Sequence, residues 1–226
     1  DVRRGTVARS SLDAFAGGLD PFGAALDEGL RKVSAGGSVF KAVRGEYGCG
    51  KTFFARWLAD RARKLGFAST EVQVSETETP LHRLETVYRR MMERLATADT
   101  PHGALRNLVD AWIFTLEEDV LAEGVVDPTD ASRLLERTNE LLERRLAEVA
   151  RAAPTFSAAL RGYRQAHVDE RPEIAQGILA WLSGQPNVSS QAKRFAGVKG
   201  EIDHFGALNF LQGILTILRD SGHFGL

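Results

Sequence analysis

One octapeptide constrains this chain more than any other stretch: Gly45-Glu46-Tyr47-Gly48-Cys49-Gly50-Lys51-Thr52. It fits G-x-x-x-x-G-K-[ST], the phosphate cradle of ATP- and GTP-binding proteins. Such a loop is built between a strand and a helix, so it limits the folds open to the chain. Its glycines allow positive φ and close approach of the backbone to phosphate oxygens. Successive N–H groups then turn inward as an anion-binding nest. Lys51 is placed to reach the β- and γ-phosphates, and the Thr52 hydroxyl to ligate Mg²⁺. A helix opening near Gly50 adds the positive end of its dipole. The candidate nucleotide-binding residues are therefore Gly45, Glu46, Tyr47, Gly48, Cys49, Gly50, Lys51 and Thr52. Lys51 is the catalytic candidate and Thr52 the metal ligand.

The flanks agree with this expectation. Residues 38–44, Ser-Val-Phe-Lys-Ala-Val-Arg, are a short apolar run after Gly36-Gly37. They read as a strand buried on both faces. After the loop, Phe54, Trp57, Leu58, Arg61, Ala62 and Leu65 recur at helical spacing, and Gly66 stands at a C-cap position. Phe67 to Ser75, with regular alternation from Ser69 on, reads as a half-exposed strand. A strand–helix–strand order predicts a parallel, right-handed crossover. Ser75 to Pro80 reads as the end of that strand and the start of a helix with the stripe Leu81, Leu84, Val87, Tyr88, Met91 and Leu95. Glu76 and Glu78 then read as acidic first-turn residues rather than as neighbours of Mg²⁺.

Other segments add helices. A short one is expected at Ser11–Ala16, and Asp20-Pro21 reads as a helix start running to about Val33. Leu19 to Phe22 is better read as packing than as a shield for a nucleotide base. From 101 to 200 the pattern is helical, with the stripe Leu105, Leu108, Val109, Trp112, Leu116 and Val120. A break follows at Gly124–Thr129, and a second stripe runs from Leu134 to Val149. Pro154 and Pro172 divide the remaining helices. Residues 189–199 are basic and read as a linker rather than as a phosphate contact. A last helix at about 201–221 carries Ile202, Phe205, Leu208, Leu211, Ile214, Leu215 and Leu218.

Composition excludes several classes. Hydrophobic content of 43% and charged content of 26% fit a globular protein, and no run of apolar residues is long enough to span a membrane. A net charge of −1 gives no footprint for general nucleic-acid binding, although a local basic patch stays open. The single cysteine, Cys49, forbids an internal disulfide and suits a cytoplasmic setting. Within the loop it reads as a small tolerated side chain rather than a redox centre. The five histidines lack metal-ligand spacing.

A hydrolysing P-loop protein also needs an apolar strand ending in Asp, usually followed by Glu. Val125-Val126-Asp127 runs into Pro128. Leu108-Val109-Asp110 and Ile214 to Asp220 lie in helical patterns. The missing strand is expected beyond Leu226, in a longer protein that also precedes Asp1. Residues 1–226 alone are then expected to bind nucleotide weakly and to hydrolyse little.

The run from Ala42 to Leu58 resembles the P-loop region of the ATP-binding proteins of BREX-type bacterial phage-defence systems. So do Glu71–Ser75, Thr79–Arg89, and Gly103-Ala104-Leu105 with Trp112 and Leu116-Glu117-Glu118. The similarity is clear from about 36 to 124. These proteins are similar to AAA+/STAND-type ATPases. The resemblance implies an α/β, ASCE-like P-loop core with few parallel strands, here truncated, plus a large mainly helical insertion. The expected division is a nucleotide-binding core at 1–100, a helical insertion at 101–200, and a helix at 201–226 leading into a core strand. The function it implies is ATP binding and hydrolysis, with Mg²⁺, driving conformational change in a defence complex with other defence-system proteins. The alternative is a nucleotide-gated scaffold that hydrolyses little and docks partners through its helices. Kinase-type transfer is disfavoured, since no acceptor lid is recognisable. Oligomerisation stays open.

Overall fold

The computed structural model describes residues 19–224; the expected helix at Ser11–Ala16 lies outside them. The described residues form ten α-helices: α1 (Asp20–Ser34), α2 (Lys51–Lys64), α3 (Leu84–Arg94), α4 (Leu105–Ala122), α5 (Ala131–Arg145), α6 (Ala147–Ala152), α7 (Pro154–Val168), α8 (Pro172–Leu182), α9 (Ser190–Phe195) and α10 (His204–Asp220).

The expected α/β core is overturned. The described residues are 62% helical, and no sheet exists among them. Residues 38–44 adopt no regular secondary structure, and they make no backbone–backbone hydrogen bonds with the described residues. Phe40 is 93% exposed, so the segment is not buried on both faces. The apolar run signals a tendency to bury. A strand also needs a partner to take its N–H and C=O groups, and α1, whose Gly29 lies beside Val39 and Lys41, is a helix and offers none. The alternating stretch after Phe67 fares little better. It makes two isolated bridges, Phe67 with Phe224 (parallel) and Ser69 with Ala96 (antiparallel), and no ladder. Among the described residues neither a parallel pair of strands nor a crossover between them is formed.

Helix signals hold better. Pro154 and Pro172 open α7 and α8, where a missing N–H costs nothing. Every residue of the expected α4 stripe is buried, with Val109 and Trp112 fully so. Asp130, Ser189 and Asp203 accept backbone N–H groups at the starts of α5, α9 and α10. Three expectations shift. Ser75 to Pro80 does not open α3: Ser75 Oγ accepts from the N–H groups of Glu78 and Thr79, closing a turn, and the helix begins at Leu84. Residues 189–199 are not a plain linker, because α9 wedges against α7 and α8. A Cβ on Gly162 would lie 2.7 Å from Ala196 Cα, and one on Gly177 2.7 Å from Ala192 Cβ. In α10 the buried face is Ala207, Phe210, Gly213, Ile214, Ile217 and Leu218, while Phe205, Leu208 and Leu215 are exposed.

Two hydrophobic clusters result. The larger reaches from Ala68 to Leu218 and joins α3 through α10. Buried polar ties cross it. Arg164, 4% exposed, donates to Glu117 Oε1 (2.9 Å) and to the Leu135 carbonyl (2.9 Å), linking α7 to α4 and α5. Tyr88 donates to the Leu182 carbonyl at 2.7 Å, and burial pushes its phenol far above the usual range. The smaller cluster centres on Leu26 and Trp57, with Leu19, Phe53, Phe54 and Leu58 packed against it. It joins α1 to α2 and so carries the loop of residues 45–50.

Candidate functional site: the loop at the start of α2

The loop reaches its shape through its glycines. Gly48 has φ 82° and Gly50 φ 90°, left-handed values that disfavour other residues. Gly50 is the N-cap of α2, and Lys51 and Thr52 are its first two residues. The Phe54 N–H closes the first turn on the Gly50 carbonyl at 2.9 Å, and Cys49 N–H bends back to Glu46 at 3.3 Å. Gly45 faces Cys49 so closely that a Cβ there would meet the sulfur at 2.5 Å.

Lys51 folds over this loop. Its Nζ donates to the carbonyls of Gly45 (2.8 Å) and Glu46 (2.7 Å), with Cys49 Sγ at 3.9 Å. Residues 41–52 are all exposed, Tyr47 completely. The octapeptide is therefore brought together as one open surface loop, with the ammonium at its centre. It fits an anionic group: the N-terminus of α2 carries no acidic residue in its first turn, and its first N–H groups have no intrahelical acceptor.

The scaffold beneath the loop is small but specific. Phe54 meets Phe22 edge-on at 6.2 Å and Trp57 at 6.1 Å. Arg61 donates through Nε and Nη2 to both oxygens of Asp27, at 2.9 and 2.8 Å, fixing α2 to α1. That hydrogen bond holds the Asp27 carboxyl below the usual carboxylate range. Leu19 packs on this cluster, as its packing reading requires. At the far end, α2 stops at Gly66 (φ 86°), whose N–H bonds to Arg63 while Phe67 N–H reaches back to Ala62. This pair of bonds is a Schellman motif.

The acidic candidates stand elsewhere. Glu76 and Glu78 are exposed in the turn at Ser75. Asp110 lies on α4, where it accepts from Tyr163 at 2.6 Å. Asp127 accepts from Thr129 in a turn, and Asp220 ends α10. Among the described residues no strand carries an Asp toward the loop, and no group of three or more metal-ligating side chains is assembled. The Gly45–Cys49 contact and the Lys51 carbonyl bonds had no signal in the sequence, because both depend on how the loop closes.

A family model described as BREX system ATP-binding protein BrxC/D matches residues 1–226. The chain belongs to this family. No curated protein and no solved structure matches it. Membership in the BREX ATP-binding family accords with the resemblance seen from Ala42 to Leu58. No helix among the described residues is long and apolar enough to cross a membrane.

Proposed function

We propose that Gly45–Thr52 binds the phosphates of Mg·ATP and that this BREX family member hydrolyses ATP to drive conformational change in a defence complex. One observation carries the reading: two left-handed glycines deliver Lys51 and Thr52 onto the first turn of α2, with the ammonium over the loop. In this reading the loop N–H groups and the helix terminus hold the phosphates. Lys51 exchanges its carbonyl partners for phosphate oxygens, and Thr52 supplies a hydroxyl to Mg²⁺. The metal would neutralise charge developing on the phosphates during transfer. Partners are other proteins of the same defence system, met in the cytoplasm.

A second reading is a nucleotide-gated scaffold. It is favoured by the weight of the core, since the large cluster belongs to α3 through α10 and not to the loop. Titration with Mg·ATP and a phosphate-release assay on the wild type and Lys51→Ala separate the outcomes. Loss of the lysine should weaken ATP by roughly ten- to a hundredfold, the worth of one charge-assisted contact. Equal affinity in both proteins overturns the phosphate-loop reading. Tight binding with no turnover in the assembled defence complex selects the scaffold.

A further inference from the structure

A second cluster of cations lies on α2 beyond the phosphate loop. Arg56, Ala59 and Arg63 recur at helical spacing and face a cavity of about 320 Å³. Ser69, Thr70 and Glu71 form another wall, and Arg94, Pro101 and His102 complete it. Three guanidinium groups from two helices thus meet one lining carboxylate. Glu71 is held by Arg56 at 3.5 Å, in a pair open to water. Arg63 donates to Ser69 Oγ at 2.9 Å and approaches Asp60 at 3.5 Å. The Arg94 side chain makes no hydrogen bond or ion pair with the described residues, its neighbour Glu93 being taken by Arg90. Arg63 and Arg94 stand in the last turns of α2 and α3, where the helix dipole favours a cation. That accounts for each cation separately, and not for their convergence on one concavity that also holds an imidazole.

We propose that this cavity binds the phosphate group of a small ligand at a site separate from Gly45–Thr52. Arginine presents a planar fork of N–H donors that matches phosphate oxygens. The volume lies at the small end of ligand pockets and suits a phosphate monoester or pyrophosphate. Measured along α2, the cavity begins about 6 Å beyond Thr52, at Arg56, and extends to about 16 Å, at Arg63. None of the residues lining it belongs to Gly45–Thr52.

The test uses the Lys51→Ala chain, in which the phosphate loop is weakened, titrated calorimetrically with sodium pyrophosphate. One saturable binding event is expected. Adding Arg94→Ala should weaken it about tenfold, and Arg94→Lys less, since the charge stays and the fork is lost. Arg94 is exposed, so neither change threatens the fold. Displacement of pyrophosphate by AMP upholds a small phosphorylated ligand, and displacement only by a 5′-phosphorylated dinucleotide overturns that occupant in favour of a nucleic-acid end. No saturable binding in Lys51→Ala, or binding unaltered by Arg94→Ala, overturns it. Arg94→Ala alone leaves Mg·ATP binding at Gly45–Thr52 unchanged, which keeps this test separate from that of the phosphate loop.

Discussion

The Cys49 sulfur occupies the space in which a Gly45 side chain would begin: a Cβ on Gly45 falls 2.5 Å from it, and 3.8 Å from Cys49 Cβ. Gly45→Ala must therefore turn the thiol aside, which also removes its contact with Lys51. The rotamer strain is about 1 kcal/mol, or roughly fivefold in ATP affinity. Cys49→Ala in the same chain removes the sulfur and leaves only ordinary contact. ATP titrations should show the double variant recovering wild-type affinity. A double variant as weak as Gly45→Ala would contradict the steric account.

Gly213 in α10 lies under the Phe156 ring, where a Cβ would come within 2.4 Å of a ring carbon. Phe156 is fully buried and meets Phe210 at 5.1 Å, so it has nowhere to retreat. Gly213→Ala should cost about 1–3 kcal/mol, lowering Tm by several degrees. Gly23 in α1 has nothing within 4 Å of its Cβ position, so Gly23→Ala should stabilise by up to about 1 kcal/mol through helix propensity. Differential scanning calorimetry reads both, and the opposite signs are the point.

Arg164→Met leaves Glu117 and the Leu135 carbonyl without their shared donor. Breaking such a pair should cost about 3 kcal/mol, the low end of the range, because Glu117 keeps part of its water. Arg164→Met combined with Glu117→Met should regain much of the loss. Urea unfolding measures both, and an unaltered midpoint in the single variant rules the tie out as a source of stability.

Asp27 has its carboxyl lowered chiefly by the Arg61 hydrogen bonds. Because the folded pKa lies below the unfolded value near 3.9, its contribution is present above that value and lost as pH falls through the lowered pKa. NMR titration of the Asp27 carboxyl should give a midpoint below the usual carboxylate range, returning toward it in Arg61→Ala. An unshifted midpoint in the wild type removes this clasp between α1 and α2.

Helix starts and stops were legible because their causes are local. Pro154 and Pro172 set φ where a helix begins, and Gly66 supplies the left-handed residue that ends α2. The left-handed turns at Gly48 and Gly50 were legible for the same reason, since these residues act through their own backbones. Residues 38–44 and 69–75 were misread because a strand is a property of two segments. Their apolar and alternating patterns are present, yet Phe40 and Val74 are exposed and no ladder forms. The face of α10 was misread because apolar residues surround that helix, so its own periodicity does not choose a side.

By itself the sequence determined a glycine-rich loop opening a helix at Lys51, most of the helix boundaries, and a resemblance to the family that the chain belongs to. Those follow from backbone preferences and short-range spacing. Tertiary structure alone decided that Gly213 rather than Leu215 faces the core, that Arg164 ties α7 to α4 and α5, and that three arginines share one cavity. It also decided that no sheet underlies the loop among the described residues. Each of these depends on which distant surfaces meet, and burial and hydrogen-bond pairing are settled only there.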